Sequence, residues 1–207
     1  MKKERFLIKN VRCVYPSLDT PRAFDGQTEE QAKYGIKILI PKAAKGQLAE
    51  IKANVTRAID ENGDWSATVK KQVTKTAFDA DPYNDNCILK DGDAVNARRI
   101  DEGKTAIAAY AGMIVLGANR NRKGGAPTVK DRHNVAIPSG MVAGEILSGY
   151  WINLYVEVYL YSKPKQGATL SLLGVQKVKE DEVFGREDAF EALDEDEDDD
   201  KEGAFDE

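Results

Sequence analysis

Apolar and polar positions alternate most cleanly between Tyr150 and Tyr161. In YWINLYVEVYLY the even positions Ile152, Leu154, Val156, Val158 and Leu160 are aliphatic. The odd positions hold Trp151, Tyr155, Tyr159 and Tyr161, with Asn153 and Glu157 between them. Side chains of a strand alternate faces, so this segment predicts a strand with one aliphatic face and one aromatic face. KYGIKILI, residues 33–40, alternates in the same way. Tyr34, Ile36, Ile38 and Ile40 face one side, Lys33, Gly35 and Lys37 face the other, and Pro41 ends the run. Arg5 to Tyr15 and Thr169 to Val178 read as strands. Thr105 to Gly117 reads as a long apolar strand whose small residues suit a tightly curved sheet.

The helical period dominates one segment, Ala43 to Glu61. Leu48, Ile51, Val55 and Ile59 lie on one face of a 3.6-residue repeat, and Asn62-Gly63 supplies a stop. Met141 to Ile146 predicts a short helix. Pro16 to Glu30 and the basic, glycine-containing run Asn119 to Arg132 predict loops. Asp64 to Arg99, with the turn signals around Asp79–Asn86 and Asp91-Gly92-Asp93, predicts mostly loop with some strand and a helical turn. Several strands with one main helix after the second of them predict a mainly β fold. Its expected form is an OB-fold-like five-stranded antiparallel barrel with long loops.

Charge changes the picture by dividing the chain. Residues 180–207 hold 16 acids and two bases, a net −14; residues 1–179 hold 28 bases and 19 acids, a net +9. The whole-chain value of −5 is the sum of these opposites. LDEDEDDD, residues 193–200, carries seven consecutive acids and almost nothing apolar, which predicts a disordered acidic C-terminal tail. The expected organisation is one OB-fold-like domain over 1–179 and a tail over 180–207. A basic body suits a polyanion, and an acidic tail suits competition for the same surface.

The aliphatic face of the 150–161 strand must be core. The aromatic face fits either a stacking platform for bases or a second packed layer against a helix or a dimer partner. Basic residues fall in several groups: Lys33 and Lys37 on the outer face of their strand, and Arg120, Arg122, Lys123, Lys130 and Arg132 in one loop. Arg98 with Arg99, Lys70 and Lys71 with Lys75, and Lys163 with Lys165 complete them. Any one group suits a solvated surface; together with the aromatics they suit a single strand whose bases are exposed. No recognition helix for a duplex stands out.

No catalytic constellation is present. There is no phosphate-binding loop of the GK[ST] type, no GxSxG and no HExxH, and His133 is the single histidine. Cys13 and Cys87 are isolated and lack zinc-ligand spacing, so they read as buried thiols in a reducing, cytoplasmic setting. Asp79, Asp81 and Asp85 could hold Mg²⁺, but their Pro/Asn-rich setting reads as a solvated turn. No cofactor or metal is expected, and no stretch has the roughly 20 apolar residues of a membrane span.

Several segments resemble known proteins. KYGIKILIPK, ILKDGD, SGYWINLYVEVYLY and LLGVQKVKEDEVFG are similar to a family of phage-encoded single-stranded DNA-binding proteins, over Phe6 to the tail. The acidic tail with a lone aromatic near its end resembles that of the T7-type phage proteins. Theirs ends in phenylalanine, whereas Phe205 here is third from the end. The resemblance implies an OB fold without catalysis and a role in phage DNA replication, recombination and repair in the bacterial host cytoplasm. On this reading Trp151, Tyr155 and Tyr159 stack bases, and Lys33, Lys37, Arg120, Arg122, Lys123, Lys130 and Arg132 pair with phosphates. Asp198, Asp199, Asp200 and Phe205 in the tail contact a polymerase, helicase–primase or recombinase. The rival expectation is an assembly protein whose aromatic strand is a subunit interface, with a homodimer as its simplest form.

Overall fold

Strand β1 (Arg5–Arg22) is the longest element and organises the sheet. Its partners in this computed structural model, which describes residues 3–23, 26–79, 81, 83–84 and 86–184, lie far away in sequence. One edge pairs antiparallel with β2 (Lys33–Pro41), and the other pairs antiparallel with a strand near residue 155. Register shifts let β1 do both, two of them at residues with positive φ. Pairing slips between Ile8 and Val11, where Asn10 has φ 53°, and between Val14 and Ser17, where Tyr15 has φ 51°. Bulges of this kind bend a strand and increase its twist. Pro16–Arg22, expected as loop, continues the strand after the second bulge.

Helix α1 (Lys45–Asp60) matches the predicted period, with Ile51, Val55 and Ile59 buried in the main core. The expectation of loop over Asp64–Arg99 is overturned. This stretch contains helix α2 (Ala67–Ala77), the two-residue strand β3 (Lys90–Asp91) and helix α3 (Gly92–Asp101). Both helices are short and begin at side-chain caps. The Ser66 hydroxyl accepts from Val69 N, and Asp91 accepts from the amides of Asp93 and Ala94. Asp91-Gly92-Asp93, read as a turn, is therefore a helix start. Lys42 clamps it by reaching both carboxylates at 2.7 Å.

Strand β4 (Met113–Asn121) begins later than the sequence pattern implied. Residues 108–110 form a 3₁₀ turn, and Gly112 at φ 69° breaks the run. The turn carries Tyr110 over Leu39, Val14 and Val115, forming a small apolar cluster outside the barrel. β5 (Thr128–Lys130), the short helix α4 (Val142–Glu145), β6 (Trp151–Tyr161) and β7 (Gly167–Lys179) complete the chain.

The sheet order is β3-β4-β2-β1-β6-β7-β5, and a parallel contact of β4 with β7, Asn119 opposite Ser171, closes five of the strands into a barrel. This is the OB-like barrel. The interior is filled by Ile8, Val11, Ile38, Leu116, Ile152, Leu154 and Leu172, each 2% exposed or less, and α1 packs onto the same cluster. Full burial of each such aliphatic side chain contributes roughly 1.5–3 kcal/mol. The aliphatic face of β6 is thus core, as its alternation predicts.

Candidate nucleic-acid interface

The register of β2 against β4 decides which residues share the barrel's outer surface. Lys33 lies opposite Asn121, Gly35 opposite Asn119 and Lys37 opposite Gly117. These six belong to the outward phase. Ile36, Ile38, Ala118 and Leu116 belong to the inward phase and are buried. A side chain at Gly35 would run into Asn119, and one at Gly117 would meet nothing within 4 Å. Glycine at both positions leaves the floor open beside Lys37.

Walls rise around that floor. A groove of about 410 Å³ is bounded by Lys37, Gly117 and Asn119 below, by Lys90, Arg98, Arg99 and Lys104 from β3, α3 and the turn after it on one side, and by Tyr161 and Thr169 on the other. Five of its lining side chains are cationic and one, Glu102, is anionic. Glu102 pairs with Arg98 and Lys104, both at 2.7 Å, and these hydrogen bonds hold its carboxyl down at about 2. The Arg99 guanidinium is oriented by Thr105 O at 2.8 Å.

Lys37 stands at the centre. Its ammonium is 3.4 Å from the Tyr110 hydroxyl and 5.7 Å from the ring centre of Tyr15, which the β1 bulge turns outward and leaves exposed. Desolvation by its neighbours, then the positive charges of Lys90 and Arg99, push the Lys37 pKa below the ordinary lysine value. A cation crowded by other cations gains from an anion, because the anion relieves the repulsion. The Tyr110 hydroxyl is pushed up to about 12 by burial and so remains a donor.

The three aromatics singled out on β6 do share one face, but not one environment. Tyr159 is 55% exposed, and its ring stacks on Tyr161 at 6.4 Å, which links it to the groove. Tyr155 is 39% exposed and lies opposite Leu7, itself 41% exposed. Trp151, at the far end, is half-buried. Its indole N–H donates to Asp181 at 2.6 Å, and Lys179 lies 4.9 Å over its ring.

The basic residues expected in one loop separate. Arg120 pairs with Tyr34 in the inward phase; its guanidinium donates to the carbonyls of Gly124 and Leu172, so it holds the β4–β5 connection. Arg122 and Lys123 form an exposed 3₁₀ turn after β4. Lys130 lies on β5 beside Gln176 and donates to Asn134, while Arg132 donates to His133. Lys33 and Lys37 are brought to one face as expected. Of the groove's other cations only the pair Arg98 and Arg99 was legible in the sequence; Lys90, Lys104 and Tyr15 gave no signal, Tyr15 because it sits in a run that reads as plain strand.

Other candidate chemistry dissolves into local structure. Asp79 and Asp81 accept from the backbone amides of Asp81 and Tyr83, as turn carboxylates do, and Asp85 lies outside the described residues. Cys13 and Cys87 are buried and donate to the carbonyls of Leu147 and Leu89; burial raises both thiol pKa values, that of Cys13 to about 12. No helix among the described residues is long and apolar enough to cross a membrane. Asp198, Asp199, Asp200 and Phe205 lie outside the described residues.

Residues 4–203 match the family model described as the Enterobacter phage Enc34 ssDNA-binding protein. The chain is 31% identical over 183 residues to putative protein p50 of Acyrthosiphon pisum secondary endosymbiont phage 1, covering 86% of this chain and 84% of that one. Among solved structures, it resembles the single-stranded DNA-binding protein of bacteriophage Enc34 in complex with ssDNA. That match has TM-score 0.64 and 24% identity over 88% of this chain and 90% of the other. It also resembles gp2.5, a single-stranded DNA binding protein encoded by bacteriophage T7, with TM-score 0.54 and 14% identity over 95% and 98% of the two chains. At these identities the structural matches establish the shared fold.

Proposed function

The chain belongs to the family of the Enterobacter phage Enc34 ssDNA-binding protein, and we propose that it is a sequence-tolerant single-stranded DNA-binding protein, not an enzyme. The observation that carries this reading is the juxtaposition at Lys37. A cation with a lowered pKa sits beside an open glycine floor, with further cations on one wall, the exposed ring of Tyr15 next to it and the half-buried ring of Tyr161 opposite. Phosphates would pair with Lys37, Lys90, Arg99 and Lys33. Bases would stack on Tyr15 and on the Tyr161–Tyr159 pair, each stack contributing roughly 1–3 kcal/mol without selecting a sequence. Arg122 and Lys123 would extend the phosphate contacts beyond the end of β2, and Tyr155 would take a base farther along β6.

The acidic tail would compete with DNA for this surface and, once displaced, offer Asp198, Asp199, Asp200 and Phe205 to replication, recombination or repair proteins of the infected host cell. Titrating labelled oligo-dT, with duplex as control, across salt concentration tests the first part. Tighter binding to the single strand, falling steeply with salt, is expected; equal or tighter duplex binding refutes it. Removing residues 185–207 tests the second part. Affinity is expected to rise at low salt, and an unchanged affinity refutes tail competition.

A second reading rests on Leu7 and Tyr155. They are cross-strand partners, both exposed, and form an apolar spot on the outer face of β1 and β6. A second copy seated there would make a homodimer. Mass measurement of the Leu7→Ser variant beside the unaltered chain decides it: loss of a dimer supports the contact, and a monomer in both excludes it.

A further inference from the structure

The first residues of the acidic segment fold back onto the barrel. The Asp181 carboxylate accepts from the Trp151 indole N–H at 2.6 Å and lies 3.7 Å from the Arg12 guanidinium. The Phe184 ring lies under the same guanidinium at 4.1 Å, and Phe184 N donates to Ser148 O. Arg12 in turn donates to the carbonyls of Gly149 and Glu182. The fit is close enough to require glycine at 149, which has φ 104° and where a Cβ would overlap the Glu182 carbonyl.

The place where Asp181 sits has the composition of a phosphate site. Arg12 and the indole N–H meet a single carboxylate beside a large aromatic ring, with the Lys179 ammonium over that ring; the indole hydrogen bond most, then the charges of Arg12 and Lys179, lower the Asp181 pKa. The place also shares a cross-strand row with the groove, from which the packed cluster of Leu39, Val115 and Tyr110 separates it. One cross-strand row runs Lys179–Trp151–Arg12–Leu39–Val115–Lys90, each residue directly opposite the next. Neighbouring strands are about 4.8 Å apart, so Arg12 is roughly 10 Å around the barrel from the groove wall at Val115.

We infer that Arg12, Lys179 and the Trp151 indole N–H form a phosphate subsite of the single-stranded DNA track, and that Asp181 occupies it in place of the phosphate until DNA arrives. The inference rests on the proposed single-strand binding and goes beyond it. It gives Trp151 a partner-dependent role, and it starts the competition at the root of the acidic segment. Bound DNA displaces Asp181, frees the strap at Phe184, and leaves a base free to stack on the indole.

Anisotropy titrations of labelled oligo-dT with the full chain test this. Asp181→Ala is expected to tighten binding roughly three- to tenfold at low salt. Asp181→Asn, which keeps the indole hydrogen bond and drops the charge, should give a smaller gain of the same sign. Lys179→Gln, a substitution of an exposed side chain, should weaken binding and lower the log–log salt slope by about 0.7, the release expected for one phosphate contact on a single strand. Unchanged or weaker binding by both Asp181 variants, or an unchanged slope for Lys179→Gln, overturns the subsite. Lys37→Gln is the control: if it weakens binding while the subsite variants do nothing, only the subsite is wrong. If it too does nothing, the groove reading has failed first.

Discussion

The Lys37 ammonium lies 3.4 Å from the Tyr110 hydroxyl, although the two residues come from β2 and from a turn 73 positions later. Packing holds Tyr110 in place, while Lys37 reaches it from an exposed position on β2. Tyr110 is 2% exposed and anchors the small cluster outside the barrel; Lys37 projects past it into the groove. The consequence is a cation whose charge is disfavoured before a ligand arrives.

That arrangement predicts a pH dependence with a definite sign. The Lys37 pKa is lowered, so in the free protein it loses its proton at a lower pH than an ordinary lysine. A bound phosphate favours the charged form. DNA affinity should therefore be constant near neutrality and fall as pH rises through the lowered pKa. Lys37→Arg should keep its affinity through that window, because a guanidinium stays charged. Oligo-dT titrations from pH 7 to 10 check this by comparing the two proteins.

Replacing the exposed aromatics beside the groove should cost binding without costing stability. Tyr159 is 55% and Tyr15 51% exposed. Ala at Tyr159 should weaken oligo-dT binding by roughly 1–3 kcal/mol if its ring carries one base. Its effect on thermal unfolding should stay within about 0.5 kcal/mol. Lost stability with unchanged affinity would mark the ring as packing.

Gly92 makes a stricter structural test. A Cβ there would overlap the backbone carbonyls of Tyr110 and Met113, which cannot step aside as a flexible side chain could. Gly92→Ala should destabilise the fold by roughly 1–3 kcal/mol in urea unfolding, the usual range for overpacking. It should also weaken DNA binding, because the Tyr110 turn bounds the groove. The neighbouring Gly117→Ala meets open space and should leave stability nearly unchanged.

Glu157 predicts the acid side of stability. It is 6% exposed on β6, yet it accepts from Arg5 at 2.7 Å and pairs with Lys3 at 3.1 Å. Burial alone would raise its pKa, but the hydrogen bonds from Arg5 and Lys3 prevail and lower it. A carboxylate with a lowered folded pKa adds stability that is present above its unfolded value, near 4.5, and is lost as pH falls through the folded value. Glu157→Gln should reduce stability at pH 7 by roughly 1–3 kcal/mol, the worth of hydrogen bonds to a charged group. Below pH 4 the difference should shrink, which unfolding curves at the two pH values will show.

The sequence by itself determined the two-faced strand, the basic body, the acidic end and the helix at 45–60. Each of these is a local pattern: a period of 2, a period of 3.6, or a composition that no fold can alter. It also carried enough family resemblance to name the ligand class. Short capped helices such as α2 and α3 escaped it, because a single Ser or Asp cap looks like a turn until the following residues are seen to coil. Tertiary structure alone decided the candidate site. Lys37, Lys90, Arg99, Tyr15 and Tyr161 lie on five segments and meet only because β4 closes against β7 and β1 bulges at Tyr15. Arg120 shows the same point from the other side. Its sequence neighbours Arg122 and Lys123 are exposed, yet register against Tyr34 turns it inward onto backbone carbonyls. A strand's own alternation says which residues share a face. Which of its two faces meets solvent, and what stands opposite, is fixed by partners that arrive from elsewhere in the chain.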